Sequence, residues 1–208
     1  EHLHPGPGEN LEWFVFSAIA HARVNAGLDE DVADAWRRLS HRDPLEIRSR
    51  LGTRIALKNL RSGLLPPQSG HDNPHYFDDI ALVRALAAVG VHEGRAEAEM
   101  RAAVLADVSV THGLDGVWCA DATAVLISRL LAGSAATDAV EAALTVLPHE
   151  TWSRRVAIAS LDSAKATTGA IERGRKLSME VGDWLYSYPV GAPETLGFLL
   201  ARVAYASS

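Results

Sequence analysis

The 208-residue sequence predicts an all-α protein. Three observations lead there. Apolar residues recur three and four positions apart along most of the chain, the period of an amphipathic helix. No segment alternates apolar and polar residues between hairpin turns, as a strand would. Glycine and proline fall mainly between the periodic stretches. Nine or ten helices and no sheet are expected, and no internal repeat of fixed period suggests a solenoid.

The first element runs from Leu11 to Ala26, with Leu11, Phe14, Val15, Ala18, Ile19 and Ala22 as its apolar positions and Gly27 as its stop. Val32, Ala35, Trp36 and Leu39 mark a second helix, closed by Asp43-Pro44. A third covers Ile47 to Leu60, with Leu51, Ile55 and Leu60 inward, Arg48, Arg50, Arg54, Lys58 and Arg61 outward, and Gly63 at its end. The stretch from Leu64 to His75 holds three prolines and cannot continue a helix. Helical patterning resumes over Phe77–Val91 and Arg95–Val110. A turn, Thr111-His112-Gly113-Leu114-Asp115, leads to Val117–Ala132, with Asp115 as the N-cap and Gly133 as the close. Ala120, Ala122 and Ala124 allow close helix approach there. Thr137–Leu147 ends at Pro148, and His149–Ala166 follows. Gly169 and Gly174 loosen the next connection, Lys176–Tyr186 and Glu194–Ala206 read as helical, and Tyr188 to Pro193 between them is irregular.

Composition bounds the function. Apolar residues make up 48% and charged residues 22%, which argues against disorder. With Cys119 alone no intrachain disulfide forms, and in an apolar helix it reads as a core thiol. A net charge of −6 disfavours a broad nucleic-acid surface. No apolar run has the length for a membrane span, so neither nucleic acid nor membrane is an expected partner. The start, Glu1-His2-Leu3-His4-Pro5, lacks the basic and apolar opening of a secretory leader, so a cytoplasmic location is expected. It also lacks an initiator Met and begins close to a helix, so the 1–208 single domain is expected to lack terminal segments of a longer fold. Nothing in the composition fixes an oligomeric state.

Three constellations carry chemistry. Gly8-Glu9-Asn10-Leu11-Glu12 gathers oxygen donors where the first helix begins, and such donors either hold a hard cation or cap the helix. The loop His71-Asp72-Asn73-Pro74-His75-Tyr76-Phe77-Asp78-Asp79 places four carboxylate or amide side chains and two histidines beside an apolar helix, as on a cleft rim. Pro74 breaks the helical spacing that a zinc pair His71/His75 needs. Asp78 and Asp79 suit a cation, ribose hydroxyls or a helix cap. His112, in its turn, serves either as an acid–base group or as a structural bond to backbone.

These pieces resemble the ADP-ribosylglycohydrolase superfamily. The most specific stretch is Val108–Gly133, where Thr111, His112, Asp115, Leu131 and Gly133 match a Thr-His, a polar turn and an alanine-rich helix ending Leu-x-Gly. Asp78 to Arg84 resembles the family's Gly-Asn-Gly-Ala-Ala-Met-Arg, keeping Ala81 and Arg84 but carrying Asp78-Asp79 for Gly-Asn. Gly8 to Trp13 falls on the family's Thr-Asp-Asp-Thr-Glu-Met. Glu12 is kept, Glu9 and Asn10 stand in for the aspartates, and both threonines are lost.

The resemblance implies an orthogonal multi-helix bundle and a pair of Mg²⁺ ions that orient a ribose. Here Glu9 and Asn10 are the implied metal ligands, and Glu9, Asp78 and Asp79 the implied catalytic carboxylates. Asp72, Asn73 and His75 of the polar loop are expected substrate contacts, joined by Arg84, which could hold a carboxylate or phosphate, and by His112 in support. The second metal motif, Asp-x-Asp-Thr, aligns with Ala192-Pro193-Glu194-Thr195 in one register; in the preferred register it lies beyond Ser208 or is lost. Two divalent ions repel strongly without enough carboxylates, so one Mg²⁺ or none is expected. The implied activity is hydrolysis of a glycosidic bond at the ribose of an ADP-ribosylated or ribosylated substrate. The alternatives are a catalytically degenerate binding or regulatory module, and an enzyme whose cleft, rebuilt around His71, Asp72, His75, Asp78 and Asp79, takes another small molecule.

Overall fold

A computed structural model describes residues 9–43, 46–47, 49–182 and 191–205. Among them there are eleven helices and no strand: α1 (Glu9–Asn25), α2 (Val32–Ser40), α3 (Leu51–Arg61), α4 (Gln68–His71), α5 (Ile80–Val91), α6 (Glu97–Val108), α7 (Leu114–Leu131), α8 (Ala136–Val146), α9 (Trp152–Lys165), α10 (Ala170–Glu180) and α11 (Ala192–Ala204). The all-α class follows from the sequence as expected. None of these helices is long and apolar enough to cross a membrane.

Helix α7 organises the larger core. Every residue from Cys119 to Leu126 is buried, so α7 is enclosed on all sides, by α5, α6, α8, α9 and α11. Its alanines permit that enclosure, because a short side chain lets a neighbouring backbone come close. Leu82, Val89, Val104, Val108, Leu147 and Leu196 fill the space around them. A second core joins α1, α2 and α3 to the start of α5 through Trp13, Ala20, Trp36, Leu57 and Ile80, with the Trp13 and Trp36 rings stacked 5.3 Å apart. A third, smaller one sets Val156, Ala164 and Ala201 against Leu177 and Val181.

Several expected details are corrected. Leu11, Val15 and Ile19 of α1 are exposed; the inward face carries Trp13, Ser17, Ala20 and His21. The polar members are tolerated because Ser17 Oγ donates to Asp107 at 2.7 Å and His21 lies 3.5 Å from the same carboxylate. Leu51 is exposed as well. α3 begins four residues later than expected, and a short α4 forms inside the breaker-rich loop. α10 starts at Ala170 and carries Gly174 within it; residues 183–190, where the Lys176–Tyr186 helix was expected to end, lie outside the described residues. Asp115 does not cap α7. It stands in the first turn, and its Oδ1 accepts from the Ser153 amide at 2.9 Å and from Ser153 Oγ at 2.5 Å, tying the start of α7 to that of α9.

Candidate active site

The loop from Asn73 to Asp79 is the place where helix beginnings meet. Asn10 is in the first turn of α1, Arg50 directly precedes α3, and Asp78 and Asp79 directly precede α5. Gly113, at the start of α7, donates its amide to the Tyr76 carbonyl at 3.4 Å. Gly191, before α11, forms a β-bridge with Asp78, and Ala192 N–H donates to the Phe77 carbonyl at 2.7 Å. Five helices therefore direct their N-termini toward one short segment. Helix N-termini carry partial positive charge and unpaired N–H groups, so such a place favours anionic groups.

Close backbone approach makes this packing depend on glycine. A Cβ on Gly116 would overlap the Tyr76 carbonyl oxygen, and one on Gly70 would overlap the carbonyls of Ser109 and His112.

At the rim, Arg50 draws three side chains together. Its Nη1 donates to Asp78 Oδ1 at 2.8 Å and to Asp79 Oδ1, and its Nη2 donates to Asn10 Oδ1 at 3.1 Å. Asp78 Oδ1 also accepts from the Ile80 amide at 3.0 Å, which locks the entry to α5. Burial pushes the Asp78 carboxyl up to about 6, and the neighbouring Asp79 adds to the rise; the Ile80 amide and the Arg50 charge act against it.

Beneath the rim, Asn73, Arg84 and His112 face inward. Asn73 is buried, with Nδ2 donating to the carbonyls of Gly52 at 3.0 Å and Thr111 at 2.7 Å, and Oδ1 accepting from His75 N–H at 3.0 Å. It braces α3, the loop and the turn before α7. Arg84 is bonded in the interior as well. Its guanidinium is wholly buried, donates to Asp107 Oδ1 at 2.5 Å and to Thr111 Oγ1, and lies 4.4 Å over the Trp36 ring. Burial alone would raise the Asp107 carboxyl, but Arg84 and His21 hold it well below the usual carboxylate range.

His112 is also buried. Thr111 Oγ1 meets its Nδ1 at 2.7 Å, and the ring bonds to the Asp78 backbone. Burial, helped by the Arg84 charge, lowers its pKa to about 3, so the ring is neutral near pH 7 and serves as a brace under Asp78. Of the two roles open to this residue, the structural one fits. A continuous line of bonded groups thus runs from the core pair Arg84–Asp107 through Thr111 and His112 to Asp78.

The remaining predicted residues divide. His75 is partly exposed beside Phe77, whose ring makes edge contacts with Tyr76 at 5.3 Å and Trp152 at 5.6 Å. Asp72 is turned to solvent at the end of α4, bonded to Gln68 Nε2 at 2.6 Å and within 3.4 Å of His71 Nδ1, and no bond joins either residue to the Arg50 cluster among the described contacts. Glu9 opens α1, but its side chain lies outside the described residues.

Helical spacing assigns Arg50 to the outward face of a helix. It lies outside the helix, so helical periodicity does not govern its direction. A basic residue immediately before a helix, with no acidic residue in that helix's first turn, was the available signal. Asp107, Ser17 and His21 were missed as well, since a lone polar residue in an apolar stretch does not announce its partner.

A family model for ADP-ribosylglycohydrolases matches residues 10–208. This chain belongs to that family. Neither a curated protein nor a solved structure matches it. Membership of the ADP-ribosylglycohydrolase family accounts for the all-α architecture and places the chain among hydrolase-like proteins of that superfamily.

The Mg²⁺ pair implied by the resemblance requires oxygen ligands that face an open position. The oxygens of Asn10, Asp78 and Asp79 instead converge on a guanidinium, and no group of three or more acidic, His or Cys side chains suited to a metal occurs among the described residues. As arranged, these residues do not fit a divalent ion.

Proposed function

We propose that this member of the ADP-ribosylglycohydrolase family hydrolyses the glycosidic bond between a ribose and its acceptor in an ADP-ribosylated substrate, at the rim formed by Arg50, Asp78 and Asp79. The observation that carries the reading is the pairing of two carboxyl groups with different environments at one convergence of helix N-termini. Glycoside hydrolysis calls for a proton donor to the leaving group and an anionic oxygen that activates water or steadies the oxocarbenium-like charge. Asp78, with its carboxyl raised toward neutrality, is the donor. Asp79, salt-bridged to Arg50, supplies the anionic oxygen. The five helix N-termini give the diphosphate of such a substrate a favourable field, and the half-exposed His75, Tyr76, Phe77 and Trp152 offer ring faces to its base.

Release of ADP-ribose from an ADP-ribosylated protein, followed by chromatography, tests this. The expected outcome is release by the unaltered chain and a fall of about a hundredfold or more in Asp78→Asn and Asp79→Asn, the usual scale for loss of an acid–base group. A second reading, binding without turnover, draws on Arg50, which already engages both carboxylates. It predicts that ADP-ribose raises the melting temperature while no product forms. Neither release nor stabilisation would remove both readings.

A further inference from the structure

We infer that the Arg50 guanidinium is the resident cation of this site and stands in the position that a divalent metal ion would need. Asp78 and Asp79 are adjacent carboxylates that require a nearby positive charge, and the neutral Asn10 oxygen completes a three-sided set of acceptors. One oxygen of each of these three side chains is met by an N–H of a single guanidinium, which turns the set toward a fixed cation and away from the open arrangement around a small ion that Mg²⁺ demands.

A divalent ion added beside Arg50 would meet a fixed positive charge at contact range, in a site where that side chain is only 20% exposed and water screens poorly. Asp78 and Asp79 carry at most two negative charges between them and Arg50 offsets one, so this pair has at most one unit left for an added cation of +2. The Arg50 backbone is held at the head of α3, where its carbonyl accepts the Arg54 amide at 3.1 Å. Unlike a bound ion, this cation does not dissociate, and arginine stays protonated at any pH at which proteins fold.

The inference concerns the same rim as the proposed hydrolysis but does not depend on turnover. Its test is cation binding by the chelator-treated full chain, read as the shift in melting temperature and by calorimetry with MgCl₂ and MnCl₂, against KCl of equal ionic strength. The unaltered chain is expected to show no saturable effect of either metal. Arg50→Ala, which frees Asn10, Asp78 and Asp79, is expected to bind Mn²⁺ at least tenfold more tightly and to gain a saturable rise in melting temperature, lost again in Arg50→Ala/Asp79→Asn. Arg50→Lys keeps the charge and is expected to gain nothing. Arg50→Gln serves as the neutral variant should Arg50→Ala fail to give a native circular-dichroism spectrum. Saturable Mg²⁺ or Mn²⁺ binding by the unaltered chain that Asp79→Asn abolishes overturns the inference, as does the absence of any gain in the folded neutral variants. A hydrolase lacking activity leaves these readouts untouched, so failure of the functional proposal and failure of this one are distinguishable.

Discussion

Asp107 is buried with no exposure and satisfies Ser17 Oγ, Trp36 Nε1 and the Arg84 guanidinium at once. Removing its charge leaves Arg84 uncompensated in the core, so Asp107→Ala is expected to cost about 3–5 kcal/mol in chemical denaturation. Asp78 provides a pH signature. Its folded carboxyl is raised from 3.8 to about 6, so the folded chain holds this proton more tightly than the unfolded one. Its contribution to stability therefore falls as pH rises from about 4 to 6. His92 and His112 act in the opposite sense. Burial lowers them from 6.5 to about 4 and about 3, so the stability they confer at neutral pH is lost as pH falls below about 6.5 toward those values. Subtracting the denaturation profile of Asp78→Asn from that of the unaltered chain isolates the falling component; a difference flat between pH 4 and 6 would refute the assignment. At this scale Asp78 and Asp79 were legible, because a run so rich in ionisable groups beside an apolar helix is unusual. Arg50 and Asp107 were not, because the partner that decides each role is 28 and 23 residues away in sequence.

Helix α1 is apolar on two sides, and periodicity alone does not decide between them. Leu11, Val15 and Ile19 line up four residues apart as an inward stripe would, yet the face that packs on α5 includes a serine and a histidine. The choice falls to polar partners on α6 and α5: Asp107 receives Ser17, and His92 Nε2 lies 3.2 Å from His21 Nδ1. Ile19→Lys is expected to change stability by about 0.5 kcal/mol or less, as for an exposed site, whereas Trp13→Ala costs about 3–5 kcal/mol. The reverse ranking in urea denaturation would restore the stripe as the buried face. The start of α7 makes a parallel case. Gly116→Ala is expected to destabilise by about 1–3 kcal/mol, the usual scale for forcing an atom into a packed contact, because its Cβ has to displace the Tyr76 carbonyl. Since that carbonyl lies just ahead of Asp78, the same substitution is expected to weaken any activity of the rim.

At the scale of the whole molecule, the beginnings of five helices are assembled around residues 73–79, and the interior network Asp107–Arg84–Thr111–His112 supports that loop from below. A cavity of about 490 Å³ between the ends of α5 and α7 and the start of α6 shares no residue with this rim. What locates the candidate chemistry is the meeting of charged side chains with helix N-termini.

The amino-acid sequence by itself determined that the chain is helical, where most of its breaks fall, and that its charged and amide residues concentrate near the head of α1 and before α5. These are local properties, set by the helical period, by the backbone demands of glycine and proline, and by capping chemistry. Only the tertiary structure decided which face of α1 is inside, that Asn73, Arg84 and His112 brace the site from beneath, and that Arg50 meets Asn10, Asp78 and Asp79. Each of these outcomes depends on the energy of burying or pairing a polar group, and that energy has no value until the chain has folded and brought a partner from far along the sequence to within hydrogen-bond distance.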